Sequence, residues 1–148
     1  MKTISITRKK AISAFESINT MKDKIVSPKV AYFYCRNLDI LQKEITAIQE
    51  AQKTLQITPE IDAYNKKQQK LAEELGQGTA EYAEKSTQLY NENIDLINAY
   101  REKEKQFNDF LEESVEMDVA TISVNDIPSD LFTANDYSNL FEFLEDFS

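Results

Sequence analysis

The sequence predicts a mainly α fold: a long antiparallel helical hairpin or coiled coil, with a small two-stranded sheet and short helices formed by both termini at its base. Three observations support this prediction. Apolar residues recur at helical spacing over most of residues 28–115, the only two glycines lie together in mid-chain, and strand-like alternation is confined to the two ends. We expect a single elongated domain over residues 1–148, with residues 1–27 and 116–148 as a terminal lobe and residues 28–115 as the hairpin.

The N-terminal segment predicts one strand and one helix. Ile4 and Ile6 alternate with polar residues, which favours a short strand over about residues 2–6. Thr7 then suits the N-cap of a helix over about residues 8–20, because its hydroxyl can accept a hydrogen bond from a free N–H of the first turn. The basic residues here follow the short apolar alternation, an order that we do not expect of a signal peptide.

Two Ser/Thr-Pro pairs mark the starts of the next helices. Ser27-Pro28 begins a helix to about Gln56, and Thr58-Pro59 predicts that it ends or kinks near Ile57, because a residue before proline is driven out of the α region. Whether residues 59–75 form a separate helix or a kinked extension stays open. The apolar positions of the first helix follow steps of four and three, a heptad seam: Tyr34, Leu38, Leu41, Ile45, Ile48 and Leu55.

The two glycines predict the sharpest reversal of the chain. Gly76-Gln77-Gly78 is typical of a helix that ends in a left-handed glycine and turns into the next one. Thr79 can cap that next helix, which we expect to run to about Val115. This second arm completes the predicted hairpin.

The C-terminal segment predicts the second strand and a last short helix. Residues 119–124 are rich in β-branched side chains and alternate, so we expect them to pair with the N-terminal strand. Thr133 and Asp136 form a Thr-x-x-Asp start signal related to the capping box. The helix that it opens should run to about Asp146.

The net charge of −9 is unevenly distributed along the chain. Residues 1–30 carry seven Lys or Arg and two acids, whereas residues 106–148 carry eleven acids and no basic residue. Because the acidic segment is also rich in apolar and aromatic residues, it does not resemble a disordered tail, and we expect the two segments to fold against each other. One alternative is an acidic face that mimics nucleic acid and blocks a DNA- or RNA-binding partner. Direct nucleic-acid binding by the basic N-terminal helix is disfavoured by the surplus of acids.

The side chains that most catalysis requires are missing from this sequence. The absence of His excludes a Ser-His triad and most zinc sites, and two glycines cannot build a phosphate-binding loop. We therefore expect no enzyme and no catalytic, cofactor-binding or metal-binding residue; a magnesium enzyme built on helical carboxylates is the enzymatic alternative. The one cysteine, Cys35, is predicted to be a small buried thiol. No apolar run is long enough to span a membrane.

The aromatic and leucine positions near the glycine turn are the candidate partner contacts. Two helices bury only one seam between them, so apolar residues far from the terminal lobe lack enough covering layers. Either a local third helix, which the break at Pro59 would allow, or a partner would cover them. The candidate contacts are Tyr64, Leu71, Leu75 and Tyr82.

The layout resembles an uncharacterised family of small helical proteins encoded by tailed bacteriophages. The resemblance starts from the Met-Lys-x-Ile-x-Ile opening and the charged helical hairpin, and its most specific stretch is residues 117–146, with Val-Ala-Thr-Ile-Ser-Val-Asn-Asp-Ile-Pro and an acidic helix. The glycine turn and the Pro59 break depart from that family's pattern. The resemblance implies a phage origin and a place in the host cytoplasm or the virion, and it supplies no functional residue.

Together these patterns predict a non-enzymatic interaction protein that works through its shape and its adhesive side chains. We expect it to bind a host or phage protein, either as an inhibitor of a host enzyme or defence system or as an accessory of the virion or its assembly. A second copy of the chain is the other partner that the sequence leaves open.

Overall fold

The computed structural model describes residues 1–25 and 27–145. It confirms a mainly α fold with a small antiparallel sheet of two strands. The strands are β1 (Lys2–Thr7) and β2 (Ser114–Val119), and the helices are α1 (Arg8–Asn19), α2 (Pro28–Gln52), α3 (Pro59–Leu75), α4 (Ala80–Glu92), α5 (Ile94–Glu112) and α6 (Ala134–Asn139).

The chain divides into two compact units. The terminal unit comprises residues 1–51 and 109–148, and the middle unit comprises residues 52–108. The single elongated domain and the long coiled coil over residues 28–115 stay predictions.

The predicted helix starts are confirmed by their caps. At each start a Ser or Thr hydroxyl accepts a hydrogen bond from the backbone N–H three residues later, which satisfies a donor that the helix itself leaves free. The N···O distances are 3.1 Å at Thr7, 3.3 Å at Ser27 and at Thr58, and 3.2 Å at Thr79 and at Thr133.

The Pro59 break separates two helices rather than kinking one. The α-helical part of α2 ends at Gln52, a short 3-10 turn follows over Lys53–Leu55, and Gln56 is extended. Residues 59–75 therefore form a helix of their own, α3, as the proline rule allows.

The second strand lies earlier than predicted. β2 is Ser114–Val119 and not residues 119–124, and it pairs with β1 so that Ile4 faces Met117 and Ile6 faces Val115. Val119 and Ala120 are both buried, so the alternation changes phase there and one straight strand cannot bury both halves of the pattern. Beyond that point, Ile122 makes only a single parallel bridge, with Leu144.

The helix predicted over residues 79–115 is two helices, because it breaks at Asn93. The side-chain amide of Asn93 donates to the carbonyl of Leu89 at 2.9 Å, and its backbone N–H donates to the carbonyl of Tyr90 at 3.1 Å. Such local side-chain bonds compete with the helical ladder. The second helix, α5, ends at Glu112, short of the predicted Val115.

The last helix is also shorter than predicted. α6 ends at Asn139 and is followed by a 3-10 turn over Phe141–Phe143, so the helix does not continue to Asp146, which itself lies outside the described residues. Its capping box is complete, because Thr133 and Asp136 bond each other reciprocally. Burial would raise the pKa of the Asp136 carboxyl, but hydrogen bonds from Thr133 and Ser17, with the charge of Lys24, outweigh burial and lower that pKa.

The main apolar core lies in the terminal unit, where β1, β2, α1, α2 and the C-terminal segment meet. Its buried members are Ile4, Ile6, Ala11, Ala14, Ile18, Met21, Val30, Phe33, Tyr34, Leu41, Met117, Val119, Ile122, Ile127, Leu131, Phe132, Leu140, Phe143 and Leu144. Four of the six predicted seam positions are buried, namely Tyr34, Leu41, Ile45 and Ile48, all of them on α2.

Cys35 is exposed, so the prediction of a buried thiol is wrong. The buried stripe of α2 passes through Tyr34 and Asn37, and a helical turn of 3.6 residues places Cys35 outside it, on the side of Tyr32 and Arg36. The aromatic neighbourhood in sequence was therefore a poor guide to burial, because neighbours on a helix point in different directions.

Asn37 is a buried polar residue whose role was not predicted from the sequence. Its side-chain amide donates to the carbonyl of Ala120 at 2.9 Å, and its side-chain oxygen accepts from the N–H of Ala120 at 2.9 Å. The residue is fully buried. Asn37 thus satisfies the backbone of Ala120 where the strand ladder has ended.

Candidate functional site

The four candidate contact residues lie on a short helical hairpin within the middle unit. Tyr64, Leu71 and Leu75 belong to α3 and Tyr82 belongs to α4, and the two helices pack against each other. All four side chains are half-buried. Their role as partner contacts stays a prediction, but each keeps part of its surface open to solvent.

The turn between α3 and α4 follows the chemistry that the two glycines predict. Gly76 has a φ of 77°, a left-handed value that side chains rarely adopt, and its N–H donates to the carbonyl of Ala72 at 3.0 Å. Thr79 then caps α4. This turn fixes where the two helices meet.

A polar bridge inside the hairpin fixes the register of the two helices. The hydroxyl of Ser86 donates to the side-chain oxygen of Gln68 at 2.8 Å, and the amide of Gln68 lies within hydrogen-bond distance of the Ser86 carbonyl and the Tyr64 hydroxyl, at 3.1 and 3.0 Å. This bridge was not predicted from the sequence. Its signal was available, since Gln68 stands at steps of four and three from Tyr64 and Leu71 and is the polar member of that stripe.

A groove of about 390 Å³ runs between α3 and α4. Leu71 and Leu89 supply its apolar walls, one from each helix. Both leucines are half-buried, so the hairpin leaves apolar surface in contact with solvent. Two packed helices form such a groove wherever no third helix covers their common face.

The groove is bordered by charged side chains of both signs. Lys67, Lys70 and Lys85 line it together with Glu74 and Glu92. Lys70 and Glu74 are 3.8 Å apart, at the outer limit of an ion pair, while Lys85 is 3.1 Å from Glu81 on its own helix. Exposed pairs of this kind contribute at most about 1 kcal/mol each.

A smaller apolar depression of about 170 Å³ lies elsewhere in the middle unit. Ile57, Ile61, Tyr64, Ile97 and Tyr100 contribute most of its walls. Ile57 is 58% exposed. The middle unit therefore presents two separate areas of accessible apolar surface.

In the terminal unit, the basic N-terminal residues pair with C-terminal acids, as predicted. Arg8 contacts Glu113 at 2.7 Å, Lys9 lies 3.6 Å from Glu112, Lys10 pairs with Glu142, and Lys29 lies 3.0 Å from Asp126. Each pair joins groups that are far apart in sequence. Four of the ten acidic residues within 106–145 are consequently partnered by N-terminal cations.

Arg8 is the most connected of these cations. Its guanidinium also contacts Glu44 of α2 at 2.9 Å and donates to the carbonyl of Phe110 at 3.1 Å, and its central carbon lies 3.9 Å from the centre of the Phe110 ring. Burial would lower the pKa of Arg8, but the bonds with Glu113 and Glu44 outweigh burial and raise that pKa. Arg8 therefore ties α1, α2 and the end of α5 together.

The described residues hold no cluster of three or more His, Cys, Asp or Glu side chains that could bind a metal ion. The described helices also include none that is long and apolar enough to cross a bilayer. The groove and the apolar depression of the middle unit are the features of the described surface that adjoin predicted contact residues, Leu71 in the groove and Tyr64 in the depression.

Comparison with models of known protein families, with curated proteins and with solved structures gave no significant match.

Proposed function

We propose that this chain is a non-enzymatic binding protein that docks a partner protein on the helical hairpin of α3 and α4. The observation that carries the proposal is a contrast in burial. The terminal unit encloses a continuous core, whereas in the middle unit only Ile61 and Ile97, among its described apolar residues, are buried. An apolar face that a chain leaves uncovered is typical of a protein–protein contact.

The amino-acid composition also supports a binding protein rather than an enzyme. The chain has no His, and its carboxylates are dispersed or engaged with lysine and arginine. A binding protein needs complementary shape and apolar anchors, and the half-buried Tyr64, Leu71, Leu75 and Tyr82 are of the residue types that supply them. The resemblance to small phage proteins favours a partner from an infected bacterial cell or from the virion.

The nucleic-acid mimic is the weaker hypothesis. A mimic needs a field of unpartnered acidic groups, but four acids of the C-terminal segment form ion pairs with Arg8, Lys9, Lys10 and Lys29. Such pairing reduces the field that would attract a basic nucleic-acid-binding groove.

The test is affinity capture with the full chain from lysates of infected and uninfected bacteria. The variant Leu71→Ser/Tyr82→Ser removes two anchors from the hairpin, and Tyr32→Ser is the matched control, because Tyr32 is 61% exposed but belongs to the terminal unit. We expect a specific partner that the control retains and the double variant loses. Circular dichroism verifies that all three proteins stay folded.

Two results would contradict the proposal. One is the absence of any specific partner, together with a monomer in sedimentation velocity. The other is a purified chain that turns over a substrate, in assays of nuclease and phosphohydrolase activity with added magnesium.

A further inference from the structure

We propose that the groove between α3 and α4 binds an amphipathic helix with acidic side chains, supplied by a partner protein. This inference rests on the proposed function and specifies its partner. It goes further because it states which side chains of the bound helix meet which part of the groove. Apolar side chains of the helix contact the apolar walls, and its acidic side chains contact the lysines.

The shape of the groove suits a helix. α3 and α4 pack as neighbours and present Leu71 and Leu89 in the furrow between them. A third helix laid in such a furrow packs its apolar side chains against both walls, as in a three-helix bundle. A ligand of this kind presents apolar residues at positions i, i+3 or i+4, and i+7.

The charge of the groove selects the polar residues of that helix. Gln68 contacts Ser86, so the antiparallel register places residues 67–71 beside residues 83–87. The three lysines of the groove therefore stand in its middle stretch, beside the two leucines, while Glu74 and Glu92 lie towards opposite ends.

Two of the three lysines have capacity for a ligand, whereas Lys85 already pairs with Glu81 at 3.1 Å. Lys67 forms no ion pair within the described part of the chain, and Lys70 has only the 3.8 Å contact with Glu74. Acidic side chains at the centre of a bound helix would meet these cations while its apolar residues cover Leu71 and Leu89. Charge complementarity of this sort selects partners and fixes their register.

A second copy of the chain fits the groove poorly. A two-fold axis through the centre of the groove would bring Lys67, Lys70 and Lys85 against the same three lysines of the other copy. Like charges placed opposite each other across an interface oppose association. A symmetric dimer through the groove is therefore not expected, and we assign the groove to a different protein.

The test uses a yeast-displayed library of helical peptides of about 18 residues, long enough to span the hairpin at 1.5 Å per residue. The full chain is the bait. We expect the enriched peptides to carry an apolar stripe flanked by Glu or Asp. The affinity of the best peptide should fall about tenfold in Lys67→Glu/Lys85→Glu, the effect of two contacts each reversed in sign.

The matched control is Lys103→Glu/Lys105→Glu, which changes the net charge equally at two exposed lysines of α5 that do not line the groove. We expect this control to bind within about twofold of the parent, since distant exposed charges are screened. Leu71→Ser should weaken binding as well, because it removes one apolar wall.

Several results would overturn the inference. In the peptide selection these are no enrichment, enrichment of basic or uncharged peptides, or an equal loss of peptide affinity in Lys67→Glu/Lys85→Glu and Lys103→Glu/Lys105→Glu. Tight binding of DNA or RNA to the same lysines, or a dimer in sedimentation velocity that Lys67→Glu/Lys85→Glu dissociates, would also overturn it. If the lysate partner is captured but its binding is unaffected by Lys67→Glu/Lys85→Glu, this inference fails and the proposed function stands. If no partner is captured and the chain sediments as a monomer, the proposed function itself fails.

Discussion

Replacing Asn37 should destabilise the terminal unit more than its small size suggests. Asn37 is fully buried, and its side chain makes the two 2.9 Å hydrogen bonds with the backbone of Ala120. Asn37→Leu keeps the volume of the side chain nearly constant but leaves the N–H and the carbonyl of Ala120 without partners. Each buried group left unsatisfied costs about 1–3 kcal/mol, and the apolar leucine recovers part of that, so we expect a loss of about 3 kcal/mol.

The measurement is urea unfolding followed by far-ultraviolet circular dichroism, with Gln42→Leu as the control. Gln42 lies on the exposed side of the same helix, and its replacement should change the free energy of unfolding by less than about 0.5 kcal/mol. Hydrogen exchange gives a direct readout, since the amide of Ala120 should exchange much faster in Asn37→Leu. A loss below about 1 kcal/mol, or an Ala120 amide that stays protected, would refute the reasoning.

Three further predictions concern other parts of the chain. Because the pKa of folded Asp136 is lowered, its contribution to stability is present above its unfolded pKa of about 3.9 and is lost as pH falls through the folded value. The melting temperature of the parent should thus fall more steeply below about pH 4 than that of Asp136→Asn; parallel curves would contradict this. Arg8→Met should lower the free energy of unfolding in urea by about 2 kcal/mol, because the half-buried Glu44 loses its cation. Lys9→Met is the control and should lower it by less than about 0.5 kcal/mol, because the Lys9 side chain is 71% exposed. Gly76→Ala should lower the free energy of unfolding of the middle unit by about 1 kcal/mol, because a φ of 77° strains an alanine. Gly78→Ala is the control and should be neutral or slightly stabilising, because its added methyl group meets nothing within 4 Å. Equal effects of the two substitutions would exclude a role for backbone strain.

The sequence alone determined where most helices begin and where the chain reverses. Thr7, Thr58, Thr79 and Thr133 each cap a helix as predicted, and the glycine turn lies at Gly76. These signals are reliable because a cap or a left-handed glycine acts over about four residues, so its whole physical cause is contained in the local sequence.

Only the tertiary structure decided the limits of the second strand, the exposure of Cys35, the role of Asn37 and the groove with its three lysines. Pairing of β2 with β1, and the bonds of Asn37 with a backbone 83 residues away, depend on which distant segments meet. The alternation over residues 119–124 predicted a strand that the fold places at Ser114–Val119, because both Val119 and Ala120 are buried in the core. Long-range contacts carry free energies that no short window of sequence contains, and this is why the local elements were predictable and their partners were not.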